Sequence, residues 1–265
     1  MKIGVVGCAG RMGRMLVAEI LTFKGVSLVG GTEHSESSFL GQDIATLAGL
    51  DEVGIVVGSN TDALFSFADV VIDFTLPQAT ISHTQGAVKH GTALVIGTTG
   101  LNEEQQAAVV KASDSVAVIQ SANFSVGINL LLELTSQVSS ILGSDYDIEI
   151  FEMHHRHKID APSGTALALG KAAADGRGVD LETVSERTRD GHTGARNQGN
   201  IGFATLRGGD VVGDHSLIFA ADGERIELTH KASSRRVFAR GAVRSAKWCE
   251  NRAPGLYSMR DVVGL

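Results

Sequence analysis

Ile3-Gly4-Val5-Val6-Gly7-Cys8-Ala9-Gly10-Arg11-Met12-Gly13 is the stretch that decides the fold. Ile3 to Val6 is a short apolar run, the glycines follow, and Arg14 to Phe23 then places Met15, Leu16, Ile20 and Phe23 at helical spacing. The order is strand, glycine turn, helix. Gly25 reads as the end of that helix, and Val26 to Gly31 as a second strand finishing at Thr32-Glu33. Glu33 stands twenty positions after Gly13, where a dinucleotide-binding βαβ unit keeps the acid that takes the ribose hydroxyls. The spacing is Gly-x-x-Gly-x-x-Gly, not the commoner Gly-x-Gly-x-x-Gly. Alone it is equally a turn that packs a helix on a strand; the flanking strand, the helix and Glu33 turn the reading towards a phosphate cradle.

The alternation continues. Val70 to Phe74, Ala93 to Ile96 and Val116 to Ile119 are apolar runs separated by helical stretches near 78–90 and 103–113, the pattern of buried parallel strands. Each run ends in small polar residues: Thr75, then Gly97-Thr98-Thr99-Gly100, then Ser121-Ala122-Asn123-Phe124. In an open parallel sheet such ends line the ligand crevice, so these junctions are expected to face the nicotinamide half of a dinucleotide, with ordinary turn chemistry as the alternative.

Near Ser125 the pattern changes. Val126 to Leu142 reads as one long helix. Beyond a further helix near Ser163, the segments Ile201–Leu206, Val211–Phe219 and Arg225–Ala232 carry strand signals punctuated by Gly208-Gly209 and Asp222-Gly223. An antiparallel or mixed sheet in a second domain follows, and Arg235 to Cys249 reads as a helix returning to the first. The expected architecture is α/β, with a dinucleotide-binding domain over 1–125 and 235–265 and a substrate and assembly domain over 126–234.

Between the two long helical stretches lies Glu152-Met153-His154-His155-Arg156-His157-Lys158-Ile159-Asp160-Ala161-Pro162-Ser163-Gly164-Thr165. Five consecutive basic or titratable side chains, His154 to Lys158, suit an anionic substrate better than a core. Pro162 to Thr165 is helix-start chemistry, which leaves backbone N–H groups at a positive dipole end. A capped, charged loop is the plainer reading. Zinc is the third, but the spacing fits no common zinc motif and Arg156 and Lys158 would repel the ion, so no metal is assigned. If the segment is extended, His154 and Lys158 project to one face and His155 and His157 to the other.

The formal charge of −7 over 265 residues argues against general nucleic-acid or anionic-membrane binding. Two cysteines, Cys8 and Cys249, make no disulfide framework; Met1-Lys2 shows no signal-peptide pattern, and no apolar run is expected to approach the length of a membrane span. A reduced, cytoplasmic protein is expected.

On these motifs, together with Asn123-Phe124-Ser125-Val126-Gly127, Gly191-His192-Thr193-Gly194 and His230 to Arg235, the chain resembles the 4-hydroxy-tetrahydrodipicolinate (dihydrodipicolinate) reductase family of bacterial lysine and diaminopimelate biosynthesis, essentially end to end. The resemblance implies a Rossmann domain, a second domain whose mixed sheet builds a homotetramer, and reduction of a small cyclic dicarboxylate by NADH or NADPH. It implies cofactor contacts at Gly7, Cys8, Ala9, Gly10, Arg11, Met12, Glu33, Gly97, Thr98, Thr99, Ser121, Ala122, Asn123 and Phe124. His154 and Lys158 would be the acid/base pair, while His155, Gly164 and Thr165 would hold substrate. Two positions depart from the family pattern: His34 stands where many members carry an arginine for a 2′-phosphate, and Ser121 where alanine is frequent.

The residues agree with that chemistry. Hydride addition to a conjugated imine leaves an electron-rich enamine that needs a proton, and two carboxylates must be neutralised; an imidazole, an ammonium and helix N–H groups are suitable. A semialdehyde dehydrogenase would need a mid-chain nucleophilic cysteine, and none lies between Cys8 and Cys249. A non-catalytic dinucleotide sensor would not need His154 to Lys158. With no cation among Ser35 to Ser38, NADH is expected to serve at least as well as NADPH, His34 being the cofactor-side residue on which this turns.

Overall fold

Seven strands form the first sheet in the computed structural model, which describes residues 1–265, and every pairing in it is parallel. In chain order the elements are β1 (Lys2–Val6), α1 (Arg11–Thr22), β2 (Ser27–Thr32), α2 (Ile44–Leu47), β3 (Val57–Gly58), α3 (Thr61–Phe67), β4 (Val70–Asp73), α4 (Thr80–His90), β5 (Ala93–Ile96), α5 (Glu103–Ser113) and β6 (Ala117–Gln120). The chain continues through α6 (Val126–Leu142), β7 (Asp147–His154), α7 (Gly164–Arg177), α8 (Leu181–Val184), β8 (Ser185–Glu186), β9 (Ile201–Arg207), β10 (Gly213–Ala221) and β11 (Glu224–Ala232). It closes with α9 (Arg236–Trp248), β12 (Gly255–Tyr257) and α10 (Met259–Val263). Two compact units result, Met1–Val126 with Arg236–Leu265, and Gly127–Arg235.

In the first unit the strand order is β12-β6-β5-β4-β1-β2-β3. The order reverses direction between β1 and β4, which makes the ends of these two strands the switch point where an open α/β sheet binds its ligand. The strands are apolar throughout because both faces are covered: Ile3, Val5, Val70, Ile72, Val95 and Ile119 are fully buried. Burying each such aliphatic side chain contributes roughly 1.5–3 kcal/mol relative to exposure. The returning helix α9 approaches so closely at Gly241 that a Cβ there would lie 1.7 Å from the Phe124 carbonyl oxygen. Helix α1 ends earlier than its sequence implies, at Thr22, and Gly25 instead makes a left-handed turn (φ +81°) before β2.

The second unit is a five-stranded mixed sheet, β11-β10-β7-β9-β8, in which β7 pairs parallel with β9 and antiparallel with β10. The expected strand over 211–219 is displaced to Gly213–Ala221, because the Val211 carbonyl instead accepts the His155 N–H at 2.7 Å. One face of the sheet packs Ile148, Ile150, Ile201, Phe203, Leu217 and Phe219 against Leu131 of α6 and Ala166, Leu169, Ala173 and Ala174 of α7. Contrary to expectation, one segment, Val126–Asp145, is long and apolar enough by composition to cross a membrane. Within this unit that segment's helix supplies Leu131 to the core and packs Leu132, Val138 and Leu142 against it.

Candidate active site

In the first unit the β1–α1 turn needs its glycines for three different reasons. Gly7 is left-handed at φ +68°, and a Cβ on it would meet Thr75 Cγ2 at 2.7 Å. Gly13 has no room at all, since a Cβ would lie 2.1 Å from the Gly7 carbonyl oxygen. Gly10, exposed, is the N-cap of α1 and offers no side-chain acceptor, and no acid lies in the first turn. The amides of Arg11 and Met12 therefore open a helix whose dipole is left for an external anion.

Glu33 at the end of β2 takes the Ala9 N–H on Oε1 at 2.8 Å, which leaves its second oxygen for another donor. The Cys8 thiol is buried, and burial together with the Glu33 charge pushes it up to about 12, so only the backbone of Cys8 is offered to a ligand. A cavity of about 470 Å³ is lined by Gly7, Gly10, Glu33, His34, Thr75 and His83, among others. A second, of about 440 Å³, brings Thr98, Thr99, Ser121 and Ala122 together. Gly97, just before this turn, is shut in by the Phe74 ring, 2.3 Å from where a Cβ would sit. Ser121 Oγ donates to the Asn123 carbonyl at 2.8 Å, which fixes the turn after β6. Phe124 is buried and stacks tilted against Phe74 at 5.3 Å, so it supports that turn from the core side. These features fit a dinucleotide: an uncapped helix start for phosphate, a carboxylate for ribose, and two threonines and a serine where the ring end belongs.

One group here escaped sequence reasoning. Asp73, fully buried at the end of β4, binds His83 Nδ1 at 2.7 Å, accepts both the amide (2.8 Å) and the hydroxyl (2.6 Å) of Thr75, and accepts Thr98 Oγ1 at 3.2 Å. Burial alone would raise its pKa, but the His83 and Thr75 bonds outweigh it and hold the carboxyl below its ordinary range. The signal was visible: a carboxylate inside the apolar run Val70 to Phe74 has to be paired.

In the second unit, His154 is the last residue of β7 and the chain then turns at Arg156-His157, with the Lys158 N–H bonded to the His155 carbonyl at 3.1 Å. The segment is thus not extended, and the alternation expected of His154 to Lys158 does not apply. His154 Nδ1 lies 2.5 Å from Glu152 Oε2. Lys158 Nζ donates to Asp160 Oδ1 at 2.8 Å, and that bond holds the Asp160 carboxyl below its ordinary range. Arg235 Nη2 donates to His155 Nε2 at 3.0 Å. A guanidinium can only donate, so Nε2 of His155 is the acceptor in this bond; partial burial, then the Arg235 charge, lower the His155 pKa. Ser163 caps α7 by accepting the Ala166 N–H at 3.1 Å, with Gly164 and Thr165 as the first two residues of the helix. His154, His155, Lys158 and the start of α7, capped by Ser163 as the sequence implied, are therefore gathered in one region, together with Glu152, Arg207 and His215, to which sequence reasoning gave no role.

A parallel dinucleotide-type sheet carried on one chain with a mixed-sheet unit bearing this cationic loop defines a nicotinamide-dependent oxidoreductase. The family model "Dihydrodipicolinate reductase, N-terminus" matches residues 1–124 and "Dihydrodipicolinate reductase, C-terminus" residues 127–263. A 4-hydroxy-tetrahydrodipicolinate reductase of Afipia carboxidovorans is 55% identical over 265 residues, covering 100% of this chain and 97% of the relative. One of Magnetococcus marinus is 49% identical over 263 residues, covering 99% and 98%. Among solved structures, a dipicolinate-bound dihydrodipicolinate reductase from Paenisporosarcina sp. TG-14 shares the fold at TM-score 0.76 and 24% identity, covering 97% of both chains. The chain belongs to the dihydrodipicolinate reductase family.

Proposed function

We propose that the protein reduces 4-hydroxy-tetrahydrodipicolinate, by way of dihydrodipicolinate, to tetrahydrodipicolinate in lysine and diaminopimelate biosynthesis, with NADH at least as good a reductant as NADPH. The observation that carries this is the loop from Glu152 to Thr165, where an imidazole, an ammonium and a capped helix start converge. A bound nicotinamide dinucleotide supplies the hydride. The amides of the Gly7–Met12 turn hold its pyrophosphate, Glu33 its adenosine ribose, with His34 beside it, and the turns Gly97–Thr99 and Ser121–Phe124 its nicotinamide end.

Residues of the second unit serve the substrate. Gly164 and Thr165 present amides at the positive end of α7 to one carboxylate, and His155, with Arg235 behind it, lies beside them. Lys158 exchanges Asp160 for the substrate and neutralises developing charge, and with His154 it delivers the proton that completes the reduction. The test is oxidation of NADH with the freshly formed condensation product of aspartate semialdehyde and pyruvate. Turnover supports the assignment, and no turnover with either cofactor refutes it.

A homotetramer belongs to the same proposal. The sheet face opposite α6 and α7 carries Phe151 and Met153 of β7, paired with Ala204 and Leu206 of β9, and Ile218 of β10. Leu206 is 44% exposed there, and a second copy of the chain is the occupant that suits this apolar patch, which Glu149, Asp214 and Glu227 flank on the same face. A cytoplasmic location accords with Cys8 and Cys249 as free thiols.

A further inference from the structure

Glu152 sits two residues before the end of β7 and is 1% exposed, yet it carries four hydrogen bonds to three partners. Oε2 meets His154 Nδ1 at 2.5 Å, Oε1 accepts the Ser163 N–H at 3.0 Å, and Arg207 of β9 binds both oxygens at 2.8 and 2.9 Å. Arg207 also donates to the Asp160 carbonyl at 2.7 Å, tying down the loop that carries Lys158. Ser163 in turn caps α7 and bonds His215 Nε2 at 3.0 Å, and the His215 ring stands edge-on to His154 at 5.0 Å. A carboxylate so buried is tolerable only because its charge is matched by a bidentate guanidinium.

From this geometry we infer that Glu152, held by Arg207, is a positioning residue that sets the tautomer of His154 and fixes His154, the Lys158 loop and the anion-binding start of α7 in one frame. The inference rests on the proposed role of His154. An ionised carboxylate can only accept, so His154 Nδ1 must carry the hydrogen in that bond, and the proton exchanged with substrate sits on Nε2. Nε2 is kept clear by Gly213, where a Cβ would come within 2.9 Å of it. The arrangement repeats the logic of a base held by a buried acid, here with the acid also holding the amide at the helix start.

A double-mutant cycle in the full-length enzyme tests it. Glu152→Gln keeps the shape but offers an N–H where the acceptor was. It should lower kcat about 10- to 100-fold and raise the substrate KM while leaving the cofactor KM nearly unchanged. In a His154→Ala background the same change should cost less than about threefold in kcat, since the group it acts through is gone. Wild-type-like kcat in Glu152→Gln, or a full multiplicative loss on top of His154→Ala, overturns the inference while leaving the role of His154 standing. A His154→Ala enzyme with normal kcat overturns both. Should Glu152→Gln not fold, Glu152→Gln with Arg207→Gln removes both halves of the ion pair and is read the same way.

Discussion

Glu33 reaches back across the β1–α1 turn and accepts the Ala9 amide at 2.8 Å. One carboxylate therefore shapes the glycine turn with one oxygen and keeps the other for the adenosine ribose of the proposed cofactor. Glu33→Ala should raise the KM for NADH by an order of magnitude or more, in line with losing charge-assisted bonds worth about 1.5–3 kcal/mol, with a smaller effect on kcat. Wild-type Glu33-His34 should use NADH at least as well as NADPH, and His34→Arg should shift kcat/KM towards NADPH. A tenfold NADPH preference in the wild type would contradict this account of cofactor choice.

Asp73 organises the ends of two strands, since its carboxylate holds Thr75 after β4 and Thr98 after β5 while pairing with His83. Asp73→Ala leaves His83 and two threonine hydroxyls without their acceptor, at a cost on the order of 3–5 kcal/mol. The melting temperature should fall by on the order of 10 °C, and Asp73→Asn by less. A fall of only a degree or two in scanning calorimetry would show that the pair contributes little.

Much of the fold was readable because its signals are local. Val70 to Ile72, Ala93 to Ile96 and the run before Gly7 announce buried strands by composition, and Val126 to Leu142 announces a helix by length. What stayed hidden is short or distant. β3 is two residues long and β12 three, below any periodicity, and β12 exists only because it pairs with β6 across the sheet. The bond from Glu152 to Arg207 spans 55 positions and depends on the parallel register of β7 with β9, which nothing in either segment specifies. At the candidate site, His154 to Lys158 stood out by charge density. Their alternation did not survive, because the chain turns at Arg156-His157 under backbone bonds to His155 and Gly209.

His215 is 3% exposed, and burial, reinforced by the neighbouring His154, lowers its pKa from the usual 6.5 to about 4. A histidine depressed in the folded state stabilises it above the unfolded value, and this contribution is lost as pH falls from 6.5 towards 4, where only the unfolded chain takes the proton. Over that window His215 should cost the fold about 3 kcal/mol. His215→Gln should flatten the acid side of the stability profile. Denaturant titrations at pH 7 and pH 4.5 check this, and an unchanged difference between the two pH values in the variant would refute it.

Leu206 and Ile218 lie on the sheet face opposite the helices of their unit. Leu206→Glu with Ile218→Glu should convert the proposed tetramer to smaller species in light scattering, because two buried charges on a repeated interface are not compensated. A wild-type chain that is monomeric at micromolar concentration would remove the basis for the tetramer.

The central claim is that Lys158, now bonded to Asp160 at 2.8 Å, acts at the reacting centre with His154. Its most direct measurement is steady-state kcat of Lys158→Ala alongside NADH binding by fluorescence titration. Loss of charge stabilisation and proton delivery worth about 3–5 kcal/mol should cut kcat by a few hundredfold or more with NADH affinity unchanged, and His154→Ala should do so less severely. Near-normal kcat in Lys158→Ala, with only NADH affinity altered, would contradict the catalytic reading of the loop.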